Sequence, residues 1–235
     1  MGDLADNLSA VQARIDAACE RAGRKPAEVR LLAVSKTHPA SALREAYAAG
    51  QRLFGENKVQ EAARKAEELA ALADLQWALV GHLQTNKVPN VVGFAAEFHA
   101  LDSLKVARAL DRRLADAGRT LDVFIQVNSS AEESKFGLPP DAVVGFAREL
   151  LAYECLRVRG LMTLAVFSAD PAPVRACFSR MRDLQARLRD CDTAAGSYDE
   201  LSMGMSGDFE LAIEYGATTV RVGQAIFGAR EPTPG

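Results

Sequence analysis

Residues 123–127 read VFIQV, apolar at four of five positions. A strand of that kind leaves no face for water, and strands buried on both faces occur where parallel pairing is covered by helices. Working outward from it, strands are predicted near 30–35, 52–55, 75–80, 97–101, 121–127, 156–162, 199–203 and 218–222. Helical periods fall between them, over 41–49, 59–73, 104–117, 141–153, 173–189 and 209–214. A further helix comes first: Leu4, Leu8, Val11, Ile15 and Ala18 recur at helical spacing, and Gly23 followed by Pro26 ends it. Residues 84–92 carry no decisive period. Eight strands alternating with helices predict an α/β fold, a (β/α)8 TIM barrel with an extra N-terminal helix; a doubly wound open sheet is the alternative. No Pro-, Gly- or Ser-rich linker divides the chain, so residues 1–235 are expected to form one domain.

Composition narrows the function classes. Of 235 residues, 49% are hydrophobic and 25% charged, and 28 Lys plus Arg against 31 Asp plus Glu give a formal charge of −3. No global field favours nucleic acid or an anionic membrane, so any anion site must be local. Apolar stretches such as 91–96 are far below the roughly 20 residues that cross a bilayer, and the N-terminus lacks the basic-then-apolar order of a signal. A cytoplasmic protein is expected. The cysteines Cys19, Cys155, Cys177 and Cys191 form no CxxC pair, which suits reduced, buried thiols. His38, His82 and His99 show neither HxH nor HExxH spacing, and no metal is expected.

In a barrel, residues just past each strand's C-terminal end share one mouth. Those positions are polar: Ser35, Lys36 and His38; Glu56 and Asn57; His82; Asp102 and Ser103; Asn128; Thr163; Ser202 and Ser206; Arg221, Gly223 and Gln224. Lys36 follows the apolar run 29–34, interrupted only by Arg30. Desolvation and neighbouring positive charge there would lower its pKa and give a neutral amine able to form a Schiff base with an aldehyde. A structural role or a phosphate contact remains open to it. In SMGMSGDFE (202–210), Ser206, Gly207 and Asp208 lie where a helix starts, a place for either an anion or a simple cap. In TTVRVGQAIFG (218–228), Gly223 permits close backbone approach and Gln224 opens another helix. Barrels frequently hold phosphate between their seventh and eighth loops. Arg221 shares its side of the strand with Gly223, which suits a cofactor ring, a direct phosphate contact or a surface ion pair. An arginine facing a pyridine nitrogen stays charged and leaves that nitrogen unprotonated, weakening the ring as an electron sink.

The stretches LLAVSKTHP (31–39), FGENKVQEA (54–62), LVGHLQTNK (79–87), SKFG (134–137), GLMTL (160–164), LSMGMSGDFELAIEYGAT (201–218) and VRVGQAIFGAR (220–230) resemble the pyridoxal 5'-phosphate homeostasis proteins, also called the PROSC-like or YggS-type family. The resemblance runs in order from about residue 5 to residue 230 and implies a barrel like the N-terminal domain of alanine racemase. It implies pyridoxal 5'-phosphate (PLP) as cofactor, with Lys36 as the Schiff-base lysine. Ser206, Gly207, Gly223 and Gln224 would surround the phosphate, Arg221 would stand by the pyridine nitrogen, and Asn57 and His82 would lie beside the ring. Two positions depart from the family pattern: Lys58 stands where Tyr is frequent, and Gln224 where Thr or Ser is common.

Members of the family are regarded as binding and delivering or buffering PLP without established catalysis. The residues agree with that expectation. A racemase of the alanine racemase type takes a second acid/base, a tyrosine, from an additional C-terminal domain. Here the sequence ends at Gly235, Tyr47, Tyr153 and Tyr215 fall in or at the ends of outer helices, and Tyr198 precedes the seventh strand. The expectation is therefore a monomeric PLP carrier without a catalytic residue, touching apo PLP enzymes transiently. The alternatives are a PLP-dependent racemase, decarboxylase or lyase, and a cofactor-free Schiff-base aldolase.

Overall fold

The computed structural model describes residues 3–130, 132, 135–191 and 194–228, and the remainder of the expected 1–235 domain lies outside them. Eight parallel strands close into a barrel in sequence order: β1 (Arg30–Val34), β2 (Leu53–Glu56), β3 (Gln76–Leu79), β4 (Glu97–Leu101), β5 (Leu121–Val127), β6 (Leu156–Thr163), β7 (Glu200–Ser202) and β8 (Thr219–Val222). Closure comes from β1 pairing with β8, Arg30 to Thr219 through Ala33 to Val222. The open-sheet alternative is thereby excluded. In β5, six of seven residues are buried, because its outer face meets helices and its inner face fills the barrel.

The helices are α1 (Leu4–Arg21), α2 (Ala40–Ala48), α3 (Val59–Glu68), α4 (Val88–Val92), α5 (Leu104–Asp116), α6 (Val143–Glu149), α7 (Pro171–Arg189), α8 (Phe209–Glu214) and α9 (Gln224–Phe227). The final helix is too short to cover the β8–β1 seam. The extra N-terminal helix takes its place: α1 packs against α8, α9 and α2, Asn7 Nδ2 donates to the Ile226 carbonyl at 3.0 Å, and Arg14 pairs with Glu210 at 2.9 and 3.1 Å. Two helices are shorter than their periods suggested. Expected over 59–73, α3 stops at Glu68, where three-residue turns (Ala70 N–H to Glu67 O, Leu72 N–H to Leu69 O) tighten the chain. The period over 141–153 yields α6 followed by a 3-10 turn, Leu150–Ala152.

The barrel interior divides into two parts. On the β1–β3 side it is apolar, with Leu32, Leu53 and Ala78 packed against Val34 and Val80. On the β4, β7 and β8 side it is polar, holding Glu97, His99, Ser202 and Arg221, all buried. A polar interior of that kind persists only where each group finds a partner.

Candidate functional site

Arg30, Leu32 and Val34 alternate into the barrel, and half-buried Lys36 lies in the turn after β1. Apart from Arg221, which lies in β8, the expected site residues follow β7, β8, β1, β2 and β3, which are consecutive around the closed barrel. They form an arc centred on Lys36. Half-buried Asn57 follows β2, and the loop after β3 presses on it so closely that a Cβ on Gly81 would lie 2.2 Å from its carbonyl oxygen. His82 is exposed and stacks on Phe136, with ring centroids 4.4 Å apart and planes 15° apart. Phe136 comes from the loop after β5, a neighbour that the sequence did not suggest. Lys58 is exposed at the start of α3 and makes no capping bond there. Ser134, Ala229 and Arg230 of the quoted motifs lie outside the described residues.

On one side of Lys36 the backbone offers donors. Ser206 and Gly207 precede α8, and Gly223 and Gln224 begin α9. Among the described residues, no acceptor takes up the N–H groups of these four. A Cβ on Gly207 would meet nothing within 4 Å, so the space before it is open, whereas one on Gly223 would lie 2.8 Å from the Val34 carbonyl oxygen. Gly223 is thus required by the close approach of β8's end to β1. Asp208 does not cap α8: its Oδ1 accepts the Met205 N–H at 2.6 Å and closes the turn that carries Ser206 and Gly207. N–H groups without an acceptor at helix starts are the kind of donor that holds an anion locally, even on a chain whose overall charge would repel one.

Arg221 is 4% exposed, which rules out a surface ion pair. Its Nη1 donates to Ser202 Oγ at 2.7 Å and its Nη2 to the Thr163 carbonyl at 2.6 Å. Burial brings its pKa down to about 10, so it remains cationic at neutral pH. The hydrogen bonds continue down the barrel, since Ser202 Oγ lies 2.9 Å from His99 Nδ1, and His99 Nε2 lies 2.7 Å from Glu97 Oε2. Arg30 donates to Glu97 at 2.6 Å and to Glu200 at 2.7 Å at the opposite end. Burial lowers the His99 pKa, against the opposing pull of Glu97. One tautomer then satisfies the whole line: Nε2–H donates to Glu97, and Nδ1 accepts from Ser202, whose oxygen accepts from Arg221.

This line makes a pH prediction. Burial alone would raise the Glu97 pKa, but hydrogen bonds and charge from His99 and Arg30 outweigh it and lower the value from 4.5 to about 2. A depressed carboxylate pKa stabilises the fold above pH 4.5, and that contribution, about 3 kcal/mol, is lost as pH falls toward 2. The Glu97→Gln protein should begin less stable at neutral pH and lose less across that window, read from urea midpoints at each pH. Equal slopes for the two proteins would contradict the role given to Glu97.

Ser35 and Glu56 were expected at the mouth and are not there. Both are fully buried on the helix side of the barrel, because their parity is opposite to that of Lys36 and Asn57. Ser35 Oγ donates to Glu56 Oε1 at 2.8 Å, and Lys65 of α3 donates to the same oxygen at 2.6 Å. Burial nonetheless pushes the Glu56 carboxyl up, and its Oε2 has no partner among the described residues. Lys65 was missed from sequence, as were His99 and Glu97. The spacing of Glu61 and Lys65 on α3 and of Glu97 and His99 on β4 was the signal present.

The family model described as alanine racemase, N-terminal domain, matches residues 7–231. The pyridoxal phosphate homeostasis protein of Pseudomonas aeruginosa is 45% identical, over 98% of this chain and 97% of that one. Its namesake from Aquifex aeolicus is 41% identical, over 96% and 98%. The solved structure of PipY from Synechococcus elongatus with PLP bound is 39% identical, with a TM-score of 0.85 over 96% of this chain and 100% of that one.

Proposed function

The chain belongs to the pyridoxal phosphate homeostasis protein family, and from that premise we propose that it binds PLP reversibly through Lys36 and serves intracellular PLP homeostasis, by buffering or delivery, without turnover. The single observation that carries this reading is the set of four unsatisfied N–H groups, of Ser206, Gly207, Gly223 and Gln224, on the loops after β7 and β8, the second of which pairs with the strand leading to Lys36. The residues fit the cofactor: the donors and the open space before Gly207 suit its phosphate, and Arg221 suits its pyridine nitrogen. Gln224 contributes its backbone here, which makes its departure from Thr or Ser tolerable. Asn57 and His82 flank the ring in this reading.

PLP supplies an aldehyde that an amine can capture, and an electron sink when its ring nitrogen is protonated. Arg221 stays cationic and offers only donors, so it favours an unprotonated nitrogen. Tyr198 is buried before β7, while Tyr47 and Tyr215 belong to the outer helices. None of these follows the C-terminal end of a strand, where a second acid/base would act. We take the protein to be a cytoplasmic monomer that meets apo PLP enzymes transiently. Exposed Phe136 and Phe167, on loops after β5 and β6, support such contact, and no helix among the described residues is long and apolar enough to cross a membrane.

The test uses the PLP-loaded protein. It is expected to absorb in the near-visible, to yield its PLP to an apo-enzyme, and to leave the α-deuterium of labelled amino acids unexchanged. Exchange with any amino acid would establish the racemase-type alternative, and an unchanged spectrum after PLP addition would remove the cofactor from the reading.

A further inference from the structure

The backbone on both sides of Lys36 is gripped by one buried ion cluster. Lys65 is 0% exposed, and its ammonium donates to the Ser35 carbonyl at 2.8 Å, to Glu56 Oε1 at 2.6 Å and to Glu61 Oε1 at 2.8 Å. Glu61 Oε1 also accepts the N–H of Thr37 at 2.6 Å. The Ser35 carbonyl and the Thr37 N–H belong to the two peptide units that flank the Lys36 Cα. Both are therefore tied to the same ammonium, one directly and one through Glu61. Thr37 has φ 69°, a left-handed conformation that a β-branched residue adopts only under constraint. The Thr37 N–H bond to Glu61 and the His38 N–H bond to the Ser35 carbonyl at 3.1 Å hold the turn in that course.

We propose that Glu61 and Lys65 are positioning residues, which hold the strained 35–37 turn so that the Lys36 amine meets an aldehyde at the mouth. The proposal rests on the reading of Lys36 as the PLP tether and adds what fixes the tether's aim. Capture joins the Lys36 nitrogen to the aldehyde carbon and releases one water, so no oxidant or reductant is involved. Neither positioning residue touches the cofactor. Their effect is on orientation: a slack turn would let the amine sample directions from which attack is unproductive, slowing capture while the phosphate and ring sites stay intact.

Glu61→Ala tests this directly, because Lys65 keeps its bonds to Glu56 and Ser35 and the buried pair survives. Two quantities are compared with the unaltered protein: the rate of the near-visible absorbance change on adding PLP, and the affinity for pyridoxine 5'-phosphate, which has the ring and phosphate but an alcohol in place of the aldehyde. Capture should slow about tenfold or more, with pyridoxine 5'-phosphate affinity unchanged. Glu61→Gln keeps an oxygen for the Thr37 N–H and should remain near the original rate. Adding Thr37→Asn to Glu61→Ala should recover part of the loss, since asparagine tolerates the left-handed region. An unchanged capture rate in Glu61→Ala, or equal losses of capture rate and pyridoxine 5'-phosphate affinity, would overturn the positioning role. If borohydride fixes PLP in the unaltered protein on a residue other than Lys36, the tether itself is wrong and the positioning role falls with it.

Discussion

Lys36→Ala is expected to abolish borohydride-reducible capture of PLP and to weaken retention of the cofactor about a hundredfold, equivalent to about 2.7 kcal/mol. An amine fixed beside a bound aldehyde acts at an effective concentration far above that of solution amines, and removing it leaves only the phosphate and ring contacts. The barrel should survive, because Lys36 is half-buried in a turn and lies outside the apolar clusters. Its removal should change stability by only about 0.5 kcal/mol. The measurement is peptide mapping after reduction, alongside melting of the cofactor-free protein. Undiminished labelling of Lys36→Ala would move the tether to another lysine.

The largest effect on stability is expected from Lys65→Met. The methionine fills much of the same volume but removes the charge opposite Glu56, whose carboxyl is already short of one partner and keeps only the Ser35 hydroxyl, and it leaves the Ser35 carbonyl with the His38 N–H alone. Breaking a buried pair by removing one member costs about 3–5 kcal/mol. Combining Lys65→Met with Glu56→Gln should recover a good part of that, since it removes both charges and leaves an amide where a carboxylate stood. Urea unfolding of the two single variants and the double variant gives the coupling. A Lys65→Met protein within about 1 kcal/mol of the original would mean that the cluster is solvated rather than buried.

These two lysines mark what sequence reading reaches and where it stops. The place of Lys36 just past a strand was legible because it follows an apolar run, and position relative to a strand end is a local property. The same reasoning over-reached at Ser35 and Glu56: both lie near strand ends, but alternation sends their side chains to the helix side. Lys65 could be read only as the partner of Glu61 at helical spacing. A Glu and a Lys four residues apart on a helix usually mark a solvated face, and only the seating of α3 over β1 and β2 buries this pair. The spacing of Glu97 and His99 likewise did not reveal the line they join, because it continues through Ser202 to Arg221, which come from strands far along the chain.

The sequence by itself determined the alternation of strands and helices, the polarity of the mouth, and the common parity of Arg221 and Gly223, since each depends on spacing within one element. Only the tertiary structure decided which of those polar groups meet. Closing the barrel pairs β1 with β8, joining residues as far apart as 189 positions, as Arg30 and Thr219 are. That closure makes the ends of β7 and β8, which lead to α8 and α9, consecutive with the end of β1 that leads to Lys36, and the packing of α3 supplies the ion cluster on the 35–37 turn. Burial raises the energetic stakes of every polar partner, and it is fixed by how the elements pack rather than by the order of residues along any one of them.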